Sequence, residues 1–338
     1  MNETVFWSRG LFLGFLFCLL LVADVAWGSI SIPLNIVLSS LFGSESSTFS
    51  DIIWQFRLPK AITCILAGSA LATGGLMMQS LFRNPLAGPD VLGLSSGASL
   101  AVAIVILIGQ STGVGSNLIG NWSVATAASI GGSIVLLIVI FISKFVKDNT
   151  SLLIIGLMIS AATSSLVGIL QFLSKAEDLQ IFLIWSLGSV GSTHWGEVQV
   201  LAIITFIGLG IAFFLQKPLN VWLLGENYAT NLGINTSRSR FWIVIATALL
   251  TGGVTAFCGP IAFVGLAVPH LVRLIIPTTN HKILLPFVMV TGASLLLFCD
   301  MVSNLAGGAQ VLPLNAITSL IGAPLVISMV ISNKQVRV

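Results

Sequence analysis

The chain has 338 residues, of which 56% are hydrophobic and only 7% charged, and its mean hydropathy is +1.06. A soluble domain carries about 25% charged residues, so the composition excludes a soluble fold, an appended soluble catalytic domain, a disordered chain and a disulfide-rich secreted scaffold. The net charge of +3 identifies no partner by its size, because the placement of basic residues matters more than their sum in a membrane protein.

At roughly 20 residues per crossing, the apolar content allows nine to eleven membrane helices joined by short loops. Ten apolar windows follow one another: 10–27, 61–81, 91–109, 123–142, 152–173, 198–215, 241–257, 261–276, 283–298 and 313–331. None alternates with period two, so helices are predicted rather than barrel strands. The first window follows Arg9 and runs too far for a cleavable leader, which makes it a retained helix. The eighth contains Pro269 and is joined to the seventh only by Cys258-Gly259-Pro260. If it merely re-enters the membrane, the parity of the crossings is weakened. The cysteines Cys18, Cys64, Cys258 and Cys299 lie far apart without ligand spacing and read as small apolar residues.

Placing the N-terminus inside assigns eleven basic residues to the cytoplasmic side: Arg9, Arg83, Lys144, Lys147, Lys217, Arg238, Arg240, Arg273, Lys282, Lys334 and Arg337. Only Arg57, Lys60 and Lys175 then face outward, as the positive-inside bias requires. Both termini are therefore expected in the cytoplasm, which requires an even number of spans and supports ten.

Two connecting segments are longer than turns. Residues 30–56, outside, include Ser44, Ser46, Ser47 and Ser50 and read as a surface loop. Residues 217–240, inside, carry Leu223, Leu224, Tyr228 and Leu232 at spacings that suggest one or two short amphipathic helices broken at Gly233. Long loops without a role are uncommon, and this one is placed to meet a soluble partner. The chain thus reads as one transmembrane domain, 1–338, with a cytoplasmic coupling loop at 217–240.

Catalytic signatures are weak. Gly93-Leu94-Ser95-Ser96-Gly97 fits G-x-S-x-G, but a nucleophilic serine needs a strand-to-helix elbow with His and acid partners. The same glycines form a close helix-packing pattern. There is no Gly-Lys dipeptide and hence no phosphate-binding loop. His194, His270 and His281 stand apart, so neither a metal site nor a cofactor site is expected. Nothing points to a nucleic acid. Asp24 is the only charge clearly inside a span, whereas ion-coupled carriers usually keep buried carboxylates. The energy for transport is then expected from a partner that hydrolyses ATP. An ion-coupled secondary carrier, and an intramembrane hydrolase using Ser95, are the competing classes.

Local signatures converge on one family. Arg57-Leu58-Pro59-Lys60 precedes the second span, and the run from Gln79 through Arg83-Asn84-Pro85-Leu86 to Gly97-Ala98 follows it. Trp185-Ser186-Leu187-Gly188-Ser189 precedes the sixth span, and Gly225-Glu226 with Ala229, Leu232 and Gly233 lies in the inner loop. Gly259-Pro260-Ile261-Ala262-Phe263-Val264-Gly265-Leu266, Pro269-His270-Leu271-Val272-Arg273 and Gly322-Ala323-Pro324 complete the series. In this order the chain resembles the membrane permeases of the ferric-siderophore, haem and cobalamin ABC importers.

The resemblance implies an all-α permease of about ten helices in the inner membrane, paired with an identical or paralogous permease around a central path. ATP and Mg would be bound by separate cytoplasmic ATPase subunits, and a substrate-binding protein would dock outside. Gly225, Glu226, Ala229, Leu232 and Gly233 would couple to the ATPase, Arg57 and Lys60 would dock the binding protein, and Arg83, Asn84, Pro85 and Leu86 would form an inner gate. The chain departs from the family pattern at Asn304, where an Arg is usual, at Val311-Leu312-Pro313 in place of Glu-Leu-Pro, and at Asn227, where a second acid is common. Docking is then expected to rest mainly on Arg57 and Lys60 as outward charges on a nearly neutral surface.

Overall fold

The computed structural model describes residues 3–28, 32–42, 48–108, 121–143, 145–146, 149–306 and 311–331. Ser44, Ser46, Ser47, Lys144, Lys147, Lys334 and Arg337 lie outside the described residues. Among those described there is no strand. The helices are α1 (Glu3–Ala26), α2 (Leu34–Phe42), α3 (Thr48–Ile52), α4 (Leu58–Phe82), α5 (Leu94–Ala103), α6 (Asn121–Ser143), α7 (Asn149–Leu173) and α8 (Ala176–Ser186). They continue as α9 (Trp195–Phe214), α10 (Gln216–Trp222), α11 (Glu226–Asn231), α12 (Thr236–Cys258), α13 (Val264–Ile275), α14 (His281–Ala306) and α15 (Leu314–Ile331).

Seven helical stretches among the described residues are long and apolar enough to cross a membrane, and three shorter apolar helices accompany them: Leu94–Ile108, Val264–Ile275 and Leu314–Ser328. Each of the ten apolar windows falls on one of these ten. The segment 30–56 differs from the expected loop, because α2, α3 and a π-helical turn at Ile53–Arg57 occupy much of it. Trp54 Nε1 ties this segment back by donating to the Ser40 carbonyl at 3.1 Å. Helix α8 was not anticipated.

The bundle has two ends. At one, called here the loop end, Arg9 of α1 donates to the Ile275 carbonyl of α13, and Asn149 of α7 donates to the Leu81 carbonyl of α4 at 2.7 Å. At the far end Lys60 of α4 meets Asp300 of α14, and Trp195 of α9 donates to the Trp54 carbonyl at 2.8 Å.

Helix α4 is the central post, with most of its residues from Ala61 to Leu81 buried within the protein. Lipid gives apolar side chains little reason to associate, so helices in a bilayer hold together by close packing. Two glycine crossings supply it. A methyl group added at Gly68 would lie 2.3 Å from the Gly292 carbonyl oxygen, and one at Gly75 would lie 1.9 Å from that of Gly265. Backbone therefore touches backbone against both α14 and α13. The G-x-x-x-G expectation for α5 is met in the same way, with Gly97 pressed on Gly131 of α6.

Helix α13 has twelve residues, about 18 Å of helix, against a hydrocarbon core of about 30 Å. It nonetheless ends at the loop end, because Ile275 is held by Arg9. The non-helical stretch before it, with Gly259 at φ 72° and Phe263 at φ 67°, completes the return. Irregular backbone is tolerated in a membrane protein only where its polar groups are satisfied. Here Asn315 accepts the Ala262 N–H at 3.0 Å, Asn315 N–H donates to Leu187 at 3.2 Å, and Ser189 N–H donates to Cys258 at 2.8 Å. The near-loopless junction is thus a hydrogen-bonded break that turns the chain back.

Candidate functional site

At the loop end the chain between α9 and α12 folds into the two short helices expected, α10 and α11. Their inner faces are anchored. Leu219, Trp222 and Ala229 are buried, and Trp222 Nε1 donates to Ser239 Oγ at 2.9 Å. Arg240 stacks over the Trp222 ring at 5.7 Å and pairs with Glu226 at 2.5 Å. On α10, Asn220 Oδ1 accepts the His281 N–H at 2.8 Å and lies 2.8 Å from His281 Nδ1, while His281 Nε2 lies 2.7 Å from Ser80 Oγ of α4. The platform is therefore bonded directly to α12 and α14, and through His281 to α4.

Its outer face is apolar. Leu224, Tyr228 and Leu232 are 56%, 66% and 62% exposed. Tyr228 and Leu232 stand one helical turn apart at α11 and its C-terminal end, and Leu224 precedes the Gly225 turn. Gly225 enters α11 at φ 103°, and Gly233 leaves it at φ 81°, a left-handed value that strains residues bearing a Cβ. Asn235 then starts α12 by accepting the Arg238 N–H at 2.9 Å. Of the five expected coupling residues, Leu232 is presented to solvent, Gly225 and Gly233 shape the two turns, Glu226 is clamped to Arg240, and Ala229 faces inward. Ala229 is fully buried, so in this chain it supports the platform from behind and offers no contact surface.

The Arg83-to-Leu86 turn stands beside this platform. Arg83 ends α4 at φ 48°, and a methyl added at Gly225 would meet its Nη1 at 3.1 Å. Asn84 Oδ1 accepts the Leu86 N–H at 2.9 Å, and its carbonyl accepts the Ala87 N–H at 3.0 Å, so Pro85 sits inside a compact turn. Behind it Gln79 donates to the Leu266 carbonyl at 3.2 Å and accepts from Arg273 at 2.9 Å, joining α4 to α13. Gln79, Arg273, Asn220 and His281 were not singled out from sequence as site residues. Gln79 and Arg273 stood only within the family-like runs, and Asn220 and His281 carried no local signal of a shared site.

The far end is built differently. Arg57 is not an outward charge; it is 8% exposed, and its guanidinium donates to the Val25 carbonyl at 2.6 Å. Lys60 pairs with Asp300 at 2.6 Å, and Asn304 donates to the Asp300 carboxylate at 3.0 Å. Buried Asp24 lies within electrostatic reach of all three charged groups. Two acidic and two basic side chains thus gather in one buried cluster. The expectation that Arg57 and Lys60 project from the surface is corrected on this point. A cation at the edge of lipid is expensive unless compensated, and these two are compensated by acids from α1 and α14 that sequence separation concealed. Lys60 and Asp300 border a far-end cavity of about 550 Å³ that is also lined by the 187–192 turn and by 311–314. Lys175 remains exposed there, ahead of α8.

Ser95 donates to Asp90 Oδ1 and lies 3.3 Å from Thr255 Oγ1, with no histidine among these partners. No group of three or more His, Cys, Asp or Glu side chains among the described residues could hold a metal ion.

Residues 15–332 match the FecCD transport family. The chain belongs to that family. Over 97% of both sequences it is 33% identical to the hemin transport system permease protein HmuU of Yersinia pestis. It is 34% identical to the vitamin B12 import system permease protein BtuC of Escherichia coli O127:H6, covering 81% of this chain and 82% of that one. A solved structure described as an inward-facing ABC transporter of metal-chelate type superposes with a TM-score of 0.84 at 28% identity, covering 98% of this chain and all of the other. The PsaBC structure from Streptococcus pneumoniae, at 16% identity and TM-score 0.53, shares the fold. This FecCD chain is an ABC-importer permease and a multi-pass membrane protein.

Proposed function

We propose that this FecCD permease carries a ferric siderophore, or a haem or cobalamin cargo, inward across the cytoplasmic membrane, driven by ATP and Mg bound on separate ATPase subunits. The loop end faces the cytoplasm in this reading, with a binding protein docking at the far end and a second permease copy or paralogue completing the path. The carrying observation is the exposed apolar row Leu224, Tyr228 and Leu232 on a platform pinned from behind by Arg240, Trp222 and Asn220. An apolar helix face on a rigid base is what a groove on a soluble partner can grip. The Arg83-to-Leu86 turn, in contact with Gly225, serves as the inner gate that the platform moves. At the far end Lys60 acts in docking by holding the rim of the cavity and Arg57 by tying the head of α4 to α1 through Val25, with the rim's backbone and Asn304 presented to the binding protein.

The test is reconstitution into liposomes with the ATPase and the binding protein, measuring uptake of ferric siderophore, haemin and cobalamin in parallel. Uptake of one cargo is expected only with ATP and both partners, and the purified chain alone is expected to bind no ATP because it has no phosphate-cradling loop. Uptake without the ATPase that vanishes when an ion gradient is collapsed would replace this reading with a secondary carrier.

A further inference from the structure

Two hollows lie on the flank of the bundle between helices α6 and α12. The lower one, about 430 Å³, lies at the loop end between Val139, Ile140 and Ser143 of α6 and Arg238, Phe241 and Val244 of α12. The upper one, about 160 Å³, lies between Ser129, Gly132 and Leu136 of α6 and Ala248, Leu249 and Gly252 of α12. Steps of three and four residues join the two sets on each helix, so both hollows lie along one continuous face of each helix. From Arg238 to Gly252 the two hollows together span about 21 Å at 1.5 Å per residue. That is the depth of one leaflet of hydrocarbon, about 15 Å, plus its headgroup.

Polarity changes along this length in one direction. Exposed Asn235, Ser237 and Arg238 lie at the loop-end mouth, and Arg238 makes no ion pair with the described residues. Higher up the lining is mainly Leu, Ala, Gly and Ile, and Ser129 turns its hydroxyl back to the Ala125 carbonyl at 2.8 Å. A methyl added at Gly252 would meet nothing within 4 Å, so the groove is open there. A cation and amide donors at the water interface, over an apolar slot one leaflet deep, complement a phosphate carrying an acyl chain.

We propose that this groove seats one anionic phospholipid of the cytoplasmic leaflet, its phosphate at Arg238 and one acyl chain along α6 and α12 as far as Gly252. The site rests on the orientation proposed above and is independent of the cargo.

The experiment is native mass spectrometry of the full-length chain purified in mild detergent, after exchange into dioleoylphosphatidylglycerol, dioleoylphosphatidylcholine or inorganic phosphate. Phosphatidylglycerol is expected to survive delipidation in preference to phosphatidylcholine, and inorganic phosphate to leave no adduct. Arg238→Gln should reduce that preference about fivefold, the weight of one basic group at a lipid surface. Gly252→Leu should expel both lipids by filling the slot, while Gly14→Leu, at an equally open site on α1, should retain them. Equal phosphatidylglycerol adducts in all variants would overturn the proposal. So would a phosphate adduct without lipid, or a Gly252→Leu variant that breaks chain–chain association and leaves the lipid in place. If Gly252→Leu fails to fold, an unchanged lipid preference in Arg238→Gln is sufficient to reject the site. Failed cargo uptake with lipid binding intact would count against the function alone.

Discussion

The two ends of the bundle handle polar groups in opposite ways. At the loop end the polar atoms of Arg240, Glu226, Trp222, Asn220 and His281 are turned inward to fix a platform, and apolar Leu224, Tyr228 and Leu232 are left facing water. At the far end the ionisable groups of Asp24, Arg57, Lys60 and Asp300 are withdrawn into a buried cluster beside a cavity. One end offers a sticky surface on a stiff mount. The other offers a shaped cavity whose basic groups are largely buried, so a partner there has to read contour and backbone more than exposed charge.

The far end should break most severely. Asp300→Ala leaves Lys60 buried without its acid, and losing one member of a buried pair costs about 3–5 kcal/mol. Thermal unfolding in nanodiscs should fall accordingly, and the double variant Lys60→Met/Asp300→Leu should recover most of the loss. If the single and double variants unfold alike, the cluster is not a coupled unit. Next is Gly233→Val, which forces a β-branched residue to φ 81° and carries roughly 1–2 kcal/mol of backbone strain. Uptake per ATP should drop while binding-protein docking at the other end survives; a normal ratio would make α10 and α11 a mere connection.

Tyr228→Glu sharpens the contrast, because an exposed side chain should alter stability by no more than about 0.5 kcal/mol. ATPase association, measured by pull-down of the assembled complex, should nevertheless be lost. The smallest effects concern salt. Arg57→Gln should leave the ionic-strength dependence of binding-protein affinity within about twofold, whereas Lys175→Gln, at an exposed position, should flatten it slightly, as expected for a screened surface charge. A marked flattening in Arg57→Gln would return that guanidinium to the docking surface.

All ten apolar windows were legible in the sequence, because runs this long and apolar have one stable environment. Gly225 and Gly233 were legible too, since they break an otherwise helical spacing. Helix α8 escaped because its eleven residues include Glu177 and Asp178 and carry too little apolar length. The burial of Arg57 escaped for a different reason. Position at the end of a span reports depth along the membrane normal, not which way the side chain turns, and its compensation by Asp24 depends on helices brought together only by folding. Ser80, Asn220 and His281 likewise share a network across 201 and 61 residues of sequence, beyond the reach of any local pattern.

The two glycine crossings of α4 also make that helix a lever. They are seven residues apart, about 10 Å along the axis, and Leu58 lies about 25 Å beyond the Gly75 crossing. A methyl group at Gly68 would have to push α14 or α4 aside by about 1 Å to relieve its contact with Gly292, since packed interiors hold little spare room. With Gly75 as fulcrum, that 1 Å becomes roughly 2.5 Å at the tip that carries Lys60. The smallest possible side chain in the middle of the bundle would thus be felt, enlarged, at the rim of the far-end cavity.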